Sequence, residues 1–154
     1  MVISAIKTFT QKVSWENLDF LIVDMPPGTG DTQLTFAQEI NVDGVVVIST
    51  PQEIALQDVK RGIRMFDKLK VKILGLIDNM SHFIGDDGKK YAIFGEGGVK
   101  KTAEEFKKEF LGEIPINSEV GKQGDLGIPI VEGNPDHAIS KIYIELAEKI
   151  KKKF

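Results

Sequence analysis

The segment DMPPGTGD, from Asp24 to Asp31, has residue types that could bind the phosphates of a nucleotide. It follows a continuous apolar run, Phe20 to Val23, which predicts a buried strand ending in an aspartate. A carboxylate held at a strand end suits Mg²⁺, directly or through water, beside the β- and γ-phosphates. The two prolines stiffen one end of the loop, and its glycines, Gly28 among them, let backbone amides approach a phosphate. A lone aspartate could equally serve a structural turn, but the whole string favours a nucleotide site.

Two further apolar runs, Val45 to Ile48 and Ile73 to Ile77, predict parallel strands with both faces covered. Leu111 to Ile114 predicts a short strand stopped by Pro115. In open parallel sheets, ligands bind beyond the carboxyl ends of the strands, where loops diverge and helices begin. The residues that fall at such ends are Asp24, Ser49 to Gln52, Asn79 and Pro115.

Amphipathic helices are predicted between these strands, so the chain alternates strand and helix. This order predicts an α/β fold with a mostly parallel sheet, right-handed crossovers and helices on both faces. GDDGKK predicts a turn or small hairpin after the third strand. No linker divides the chain, and residues 1–154 are expected to form one partial domain. The predicted helices cover residues 2–13, 32–40, 56–69, 99–110 and 139–150.

Composition narrows the possible partners. The chain has 154 residues, a formal net charge of -3 and a pI near 5.5, which argues against nucleic-acid binding. The basic run Lys149 to Lys153 closes a helical pattern and complements the helix dipole better than it forms a membrane patch. With no membrane span or export signal evident, we expect a cytoplasmic protein without membrane partners.

Side chains that commonly bind metals are sparse. There is no cysteine, so the chain by itself offers no thiolate ligand for zinc or for an iron–sulfur cluster. His82 and His137 lack companions at metal-binding spacing and are assigned to surface or packing roles. Asp86 and Asp87 are interpreted as solvated turn residues rather than a cation site.

Taken together, several segments resemble the Mrp/ApbC-type ATPases, relatives of the MinD-like deviant-Walker group. The similarity extends over nearly the whole chain from Trp15 onward. It implies a P-loop NTPase fold, use of ATP and Mg²⁺, carriage or assembly of iron–sulfur clusters for apoprotein clients, and homodimers or other self-association. The segments that carry the resemblance are LDFLIVDMPPGTGDTQLTFAQ, VVVISTPQEIALQDVKRGIRMF, ILGLIDNMSHF, IFGEGG and FLGEIPI.

The resemblance also implies roles for single residues. Asp24 corresponds to the Walker B-like aspartate that supports Mg²⁺ through water during ATP hydrolysis, and Gly28 belongs to the phosphate-sensing switch. Asn79 corresponds to the asparagine on the adenine side, whose amide offers a donor and an acceptor to a base edge. Pro115 matches the segment that packs against the base, and TPQEIALQD resembles a region near the dimer face.

Two departures from the family pattern change the expected activity. No GK[ST] occurs in the sequence, so the lysine loop that cradles the β- and γ-phosphates is missing, and we expect no ATP hydrolysis by this chain alone. The opening helical pattern suggests a fragment truncated at its N-terminus. Gly85 and Gly88 stand where many family members have a CxxC pair, so cluster binding would need other groups or another protein.

Two alternatives to the carrier interpretation remain open. One is a fragment of a MinD-like positioning or partition ATPase, although the terminal helix has few basic residues and IFGEGG favours the carrier family. The other is a catalytically inactive association module. Because the P-loop strand normally lies within the sheet, its loss would leave strand edges that pair with another chain.

Overall fold

The structure, a computed structural model, describes residues 2–25 and 31–154. Within these ranges, no helix has both the length and the apolar character that a membrane crossing requires. The strands are Val45–Ser49 (β1), Ile73–Ile84 (β2), Lys90–Tyr91 (β3) and Phe110–Ile116 (β4). The helices are Val2–Gln11 (α1), Asp31–Glu39 (α2), Glu53–Lys68 (α3), Gly98–Glu105 (α4), Ser118–Asp125 (α5), Ile130–Gly133 (α6) and Ala138–Lys151 (α7).

The four strands form one mixed sheet with β2 at its centre. Strands β1 and β4 flank β2 and run parallel to it, so their carboxyl ends meet at one edge of the sheet. The short strand β3 pairs antiparallel with the end of β2, as Phe83 opposite Tyr91 and Ile84 opposite Lys90. The mostly parallel sheet and the hairpin around GDDGKK are therefore confirmed.

Helices cover both faces of the sheet. On one face, α3 and α4 pack on β2 around Ile63, Leu76 and Val99, all fully buried. On the other face, Leu146 of α7 packs against Ile77 and against the apolar side chains of β4. The predicted α/β class with helices on both faces is confirmed, because successive strand residues supply apolar side chains to opposite faces.

The strand predicted at Phe20 to Val23 is wrong. These residues have no regular secondary structure, and Ile22 is 83% exposed. Phe20 contacts the ring of Phe154, with centroids 5.8 Å apart. A strand requires a hydrogen-bonded neighbour, and within the described ranges neither this segment nor the outer edge of β1 has one. An apolar run alone could not form the strand.

Other boundaries differ because tertiary pairing overrides local pattern. Strand β2 continues beyond Ile77 to Ile84, and β4 continues through Pro115, which is tolerated because β4 is an edge strand with irregular register there. Helix α4 ends at Glu105 rather than near residue 110, since Lys107 adopts a left-handed conformation with φ +54°. The sequence interpretation missed α5 and α6, whereas the other helices lie close to their predicted ranges.

Candidate functional site

Three polar side chains form a row across the carboxyl ends of the parallel strands. Asp78 of β2 lies in register with Ser49 of β1 on one side and with Glu113 of β4 on the other. Residues in register on neighbouring strands point to the same face of a sheet. Asp78 is 1% exposed and the side chain of Glu113 is 44% exposed, so the row runs from the buried sheet centre outward to solvent.

The carboxyl group of Asp78 is buried without a compensating partner. Its Oδ1 atom accepts no hydrogen bond from the described residues, and the Ser49 hydroxyl donates instead to the carbonyl of Thr50 over 2.8 Å. Burial, followed by the negative charge of Glu113, raises the pKa of Asp78 to about 6. Asp78 therefore changes charge just below neutral pH.

The outer end of the row includes a histidine. His82 Nδ1 lies 3.8 Å from Glu113 Oε2 and 2.9 Å from the hydroxyl oxygen of Ser81. The Ser81 hydroxyl also donates to the carbonyl of Ile114 over 3.4 Å, which links β2 to β4. In the described part of the chain, no group of three or more histidine and acidic side chains is arranged to hold a metal ion. His137, the second histidine, instead accepts a hydrogen bond from the Ile139 amide at the start of α7.

Two of the sequence-predicted site residues lie close together at this edge. Asn79 is in register with Ile114, and Pro115 follows Ile114 on the same strand. Asn79 Oδ1 accepts a hydrogen bond from the Met80 amide over 3.1 Å, which orients the side-chain amide. Both residues are half-buried. The sheet thus places the oriented amide of Asn79, within β2, on the strand next to Pro115 of β4 and one residue out of register with it.

The other two predicted residues are not brought to this edge by any described contact. Asp24 is exposed and lies in the segment without regular structure, so it is not at a strand end. The expectation of a strand-end carboxylate at Asp24 is therefore wrong, for the same reason that the strand at Phe20 to Val23 is absent. Gly28 lies outside the described residues.

The last glycine of IFGEGG, Gly98, packs tightly on the loop that follows β1. A Cβ atom added to Gly98 would lie 2.7 Å from the carbonyl oxygen of Pro51 and 2.6 Å from Leu56 Cδ1. Gly97, just before α4, has φ +67°. Only glycine allows this close approach, which holds the start of α4 against the carboxyl end of β1.

The hairpin contains Gly85 and Gly88, the positions at which the family resemblance implies a CxxC pair. The amide of Gly88 donates to the carbonyl of Gly85 over 2.9 Å, and Gly88 has φ +74°. A Cβ atom on Gly85 would lie 2.8 Å from Tyr91 Cε2 and 2.9 Å from Asp87 Oδ1. A cysteine in place of Gly85 would overlap these side chains, and one in place of Gly88 would have to adopt a left-handed conformation.

Asp87 is exposed, as expected for a solvated turn residue, and its carboxylate also stabilises the turn. Its carboxylate accepts hydrogen bonds from the Lys89 amide over 3.0 Å and from the Tyr91 hydroxyl over 2.9 Å. The amide of Lys89, then the hydroxyl of Tyr91, lowers the pKa of Asp87. The structure therefore adds a structural role to the expected solvent exposure of Asp87.

Sequence reasoning also missed Asp78 and Glu113 as a pair. Like Asp24, Asp78 directly follows an apolar run, and this position in the sequence already indicates a candidate site carboxylate. The partnership with Glu113 depends on the register between β2 and β4, which local pattern does not reveal.

Comparison with known proteins gives a consistent assignment. The family model for ParA, described as NUBPL iron-transfer P-loop NTPase, matches residues 1–151. An iron–sulfur cluster carrier protein from Aquifex aeolicus is 44% identical over 149 residues, covering 96% of this chain and 41% of that protein. An iron–sulfur protein required for NADH dehydrogenase, mitochondrial, from Arabidopsis thaliana is 44% identical over 153 residues, covering 99% of this chain and 49% of that protein.

Solved structures agree on the fold. A nucleotide-binding protein from Archaeoglobus fulgidus in complex with ADP superposes with a TM-score of 0.73 at 40% identity, covering 82% of this chain and 52% of that one. The cell division ATPase MinD of Pyrococcus furiosus gives a TM-score of 0.69 at 20% identity, covering 99% of this chain and 58% of that one, which supports the fold alone. The chain spans about half the length of the relatives it matches. It belongs to the NUBPL-type iron-transfer P-loop NTPases of the ParA family.

Proposed function

We propose that this chain is the base-binding portion of an ATP-dependent iron–sulfur cluster carrier or assembly protein. The observation that carries the proposal is the proximity of Asn79 and Pro115 on the neighbouring strands β2 and β4, one residue out of register, in a chain that the family model matches from residue 1 to 151. The Asn79 amide nitrogen has no hydrogen-bond partner among the described residues, which leaves a donor for an adenine edge.

The phosphate half of the site requires residues that this sequence does not contain. No GK[ST] loop occurs here, so no lysine of that loop is available to the β- and γ-phosphates. Mg²⁺, when bound in the complete site, would neutralise phosphate charge, and Asp24 would support the ion through water. Gly28 would belong to the switch that responds to the phosphates. We infer that the chain alone does not hydrolyse ATP and that the complete site needs a separately supplied phosphate loop.

An iron–sulfur cluster would be cargo held by ligands from another protein. The chain has no cysteine, and a side chain added at Gly85 would overlap Tyr91 and Asp87 in its turn. The contribution of this chain would then be nucleotide-dependent association with apoprotein clients rather than direct cluster ligation.

Self-association is part of the proposal. The outer edge of β1 has no strand neighbour within the described ranges, and its Ile48 side chain is 57% exposed. Such an unprotected apolar edge pairs readily with another strand. A homodimer or another self-associated form would cover it.

The base-binding role is tested by adding the upstream region of a relative, with its phosphate loop, to this chain and titrating the product with Mg-ATP. We expect Asn79→Ala to weaken ATP binding about tenfold, since one oriented amide is lost. Asn41→Ala is the matched control, because Asn41 is exposed beyond α2 and should leave affinity unchanged. Equal affinity of the Asn79→Ala and unsubstituted proteins would overturn the assignment of Asn79.

The carrier role is tested with the same restored protein. Transfer of a cluster from it to an apoprotein in an ATP-dependent manner would support the proposal. Binding to DNA or to lipid vesicles at physiological salt, without cluster transfer, would instead support a positioning ATPase.

A further inference from the structure

A basic cavity lies at the end of the sheet opposite to Asn79 and Pro115. It has a volume of about 610 Å³ and opens at the amino ends of β2 and β4. Its lining contains five lysines and two acidic residues, a formal charge of +3 at pH 7 in a chain whose net charge is -3. We call this feature the lysine pocket; its lysines are Lys70, Lys72, Lys107, Lys108 and Lys153.

The two acids of the lysine pocket neutralise only part of its charge. Lys108 Nζ lies 2.6 Å from Asp67 Oδ1, and Lys153 pairs with Glu109. In both pairs the lysine side chain is the more buried member, at 22% against 45% exposed for the first and 18% against 55% for the second. The lysine side chains are therefore the more shielded members of both pairs.

The other three lysines have no acidic partner among the described residues. Lys72 Nζ donates to the carbonyl of Lys153 over 2.9 Å and lies 5.8 Å from the ring centroid of Phe154. The ammonium groups of Lys70 and Lys107 make no hydrogen bond or ion pair within the described ranges. Unpaired cations beside a partly enclosed surface concentrate the positive potential and attract anions.

The backbone conformation at Lys70 and Lys107 favours glycine over lysine. Both follow a helix end and adopt left-handed conformations, with φ +59° and +54°, where glycine is the residue of least strain. Their backbone amides donate to helix carbonyls of Asp67 and Glu104 over 3.1 Å in each case. The helix ends are thus already capped through the backbone, so dipole compensation alone does not require a lysine side chain at either position.

We propose that the lysine pocket binds a compact polyanion that carries at least two phosphate or carboxylate groups, with Lys70 and Lys107 as its first contacts. Lysine recognises phosphate as a point charge, and a cavity of this size accommodates a small metabolite. An incoming anion would add charge pairs to Lys70 and Lys107 and share Lys108 and Lys153 with their solvent-facing carboxylates.

The test uses the full chain and two probes, tripolyphosphate and citrate, in calorimetric titrations. The informative variant is the double substitution Lys70→Gly and Lys107→Gly, because glycine removes both charges at positions whose backbone favours it. The matched control is Lys100→Ala with Lys101→Ala, which removes two exposed lysines from the other end of α4. Urea denaturation of each variant monitors folding.

We expect saturable binding of at least one probe that weakens as NaCl is raised. The double glycine variant should bind that probe at least about tenfold more weakly, without losing stability, and the control should bind as the unsubstituted chain does. Preference for tripolyphosphate or citrate would identify the phosphate or carboxylate class of ligand. Absence of saturable binding of both probes, full binding by the glycine variant, or an equal loss in the control would overturn the proposal.

Discussion

Asp78 lies opposite Glu113 on neighbouring parallel strands, and the charge of Glu113 adds to burial in raising the pKa of Asp78 to about 6. This carboxyl group is in the most buried part of the sheet, one residue before Asn79. Its ionisation at neutral pH works against folding, because a buried carboxylate without hydrogen bonds is poorly solvated. The row formed by Ser49, Asp78 and Glu113 is therefore a local source of instability beside the proposed base-binding edge.

The first prediction concerns stability and pH. Asp78 has its ordinary pKa of 3.8 when unfolded and about 6 when folded, so between these values the folded chain holds a proton that the unfolded chain releases. The contribution of this group to stability is full below pH 4, falls as pH rises and is lost above pH 6. Asp78→Asn should raise the free energy of unfolding at pH 8 by up to about 3 kcal/mol and change it little at pH 4.

Urea denaturation at several pH values measures this effect. Asp125→Asn is the control, since Asp125 is exposed on α5 and its substitution should give no pH-dependent difference. A difference between Asp78→Asn and the unsubstituted chain that stays constant from pH 4 to pH 8 would contradict the raised pKa.

The second prediction separates the two causes of that pKa. Glu113→Gln removes the nearby negative charge and leaves the burial of Asp78 in place, so the pKa of Asp78 should fall but stay above its ordinary value. The carboxyl carbon of Asp78 can be titrated by NMR. Glu132→Gln, an exposed position on α6, should leave the titration unchanged. An unchanged titration in Glu113→Gln would show that its charge does not reach Asp78.

The third prediction concerns the tight contact between IFGEGG and the loop after β1. Gly98→Ala should lower the free energy of unfolding by about 1–3 kcal/mol, because its methyl group would overlap the Pro51 carbonyl and Leu56. Gly121→Ala is a matched substitution within α5, where the added Cβ atom meets no neighbour within 4 Å. It should be stabilising by about 0.5–1 kcal/mol through helix propensity. Similar losses in both variants would rule out the steric explanation.

The local spacing of apolar residues was sufficient to predict the elements whose buried residues follow helix or strand periodicity. The spacing of Leu56, Val59 and Ile63 predicted α3, and these three residues are the buried face of that helix. The apolar run from Ile73 to Ile77 predicted the first half of β2. These predictions succeeded because helix and strand periodicity depend on neighbouring residues alone.

Features that depend on distant pairing could not be predicted in this way. The second half of β2 mixes polar and apolar residues without a continuous apolar run, and it is a strand because β4 and β3 supply hydrogen-bonding neighbours. Phe20 to Val23 has the composition of a strand but no described neighbour, and it remains irregular. Asn79 and Pro115 were proposed as base-side residues from the family resemblance, whereas the burial of Asp78 required the sheet register.

The fourth prediction concerns the outer edge of β1. Ile48→Lys should reduce self-association, because a lysine on an edge strand disfavours pairing with another strand. Light scattering over a range of protein concentrations measures the apparent mass. Ile144→Lys on α7 is the control, at a residue that is 46% exposed compared with 57% for Ile48. Loss of association in the α7 variant but not in the β1 variant would place the contact elsewhere.

The central proposal is that this chain supplies only the base-binding part of a nucleotide site. Its most direct test is a calorimetric titration with Mg-ATP of two proteins: this chain alone, and this chain joined to the upstream region of a relative. We expect no micromolar binding of Mg-ATP by the chain alone, because its sequence has no GK[ST] motif to hold the phosphates. We expect micromolar binding by the restored protein, sensitive to Asn79→Ala. Micromolar binding of Mg-ATP by the chain alone would contradict the claim that its phosphate half must be supplied from outside.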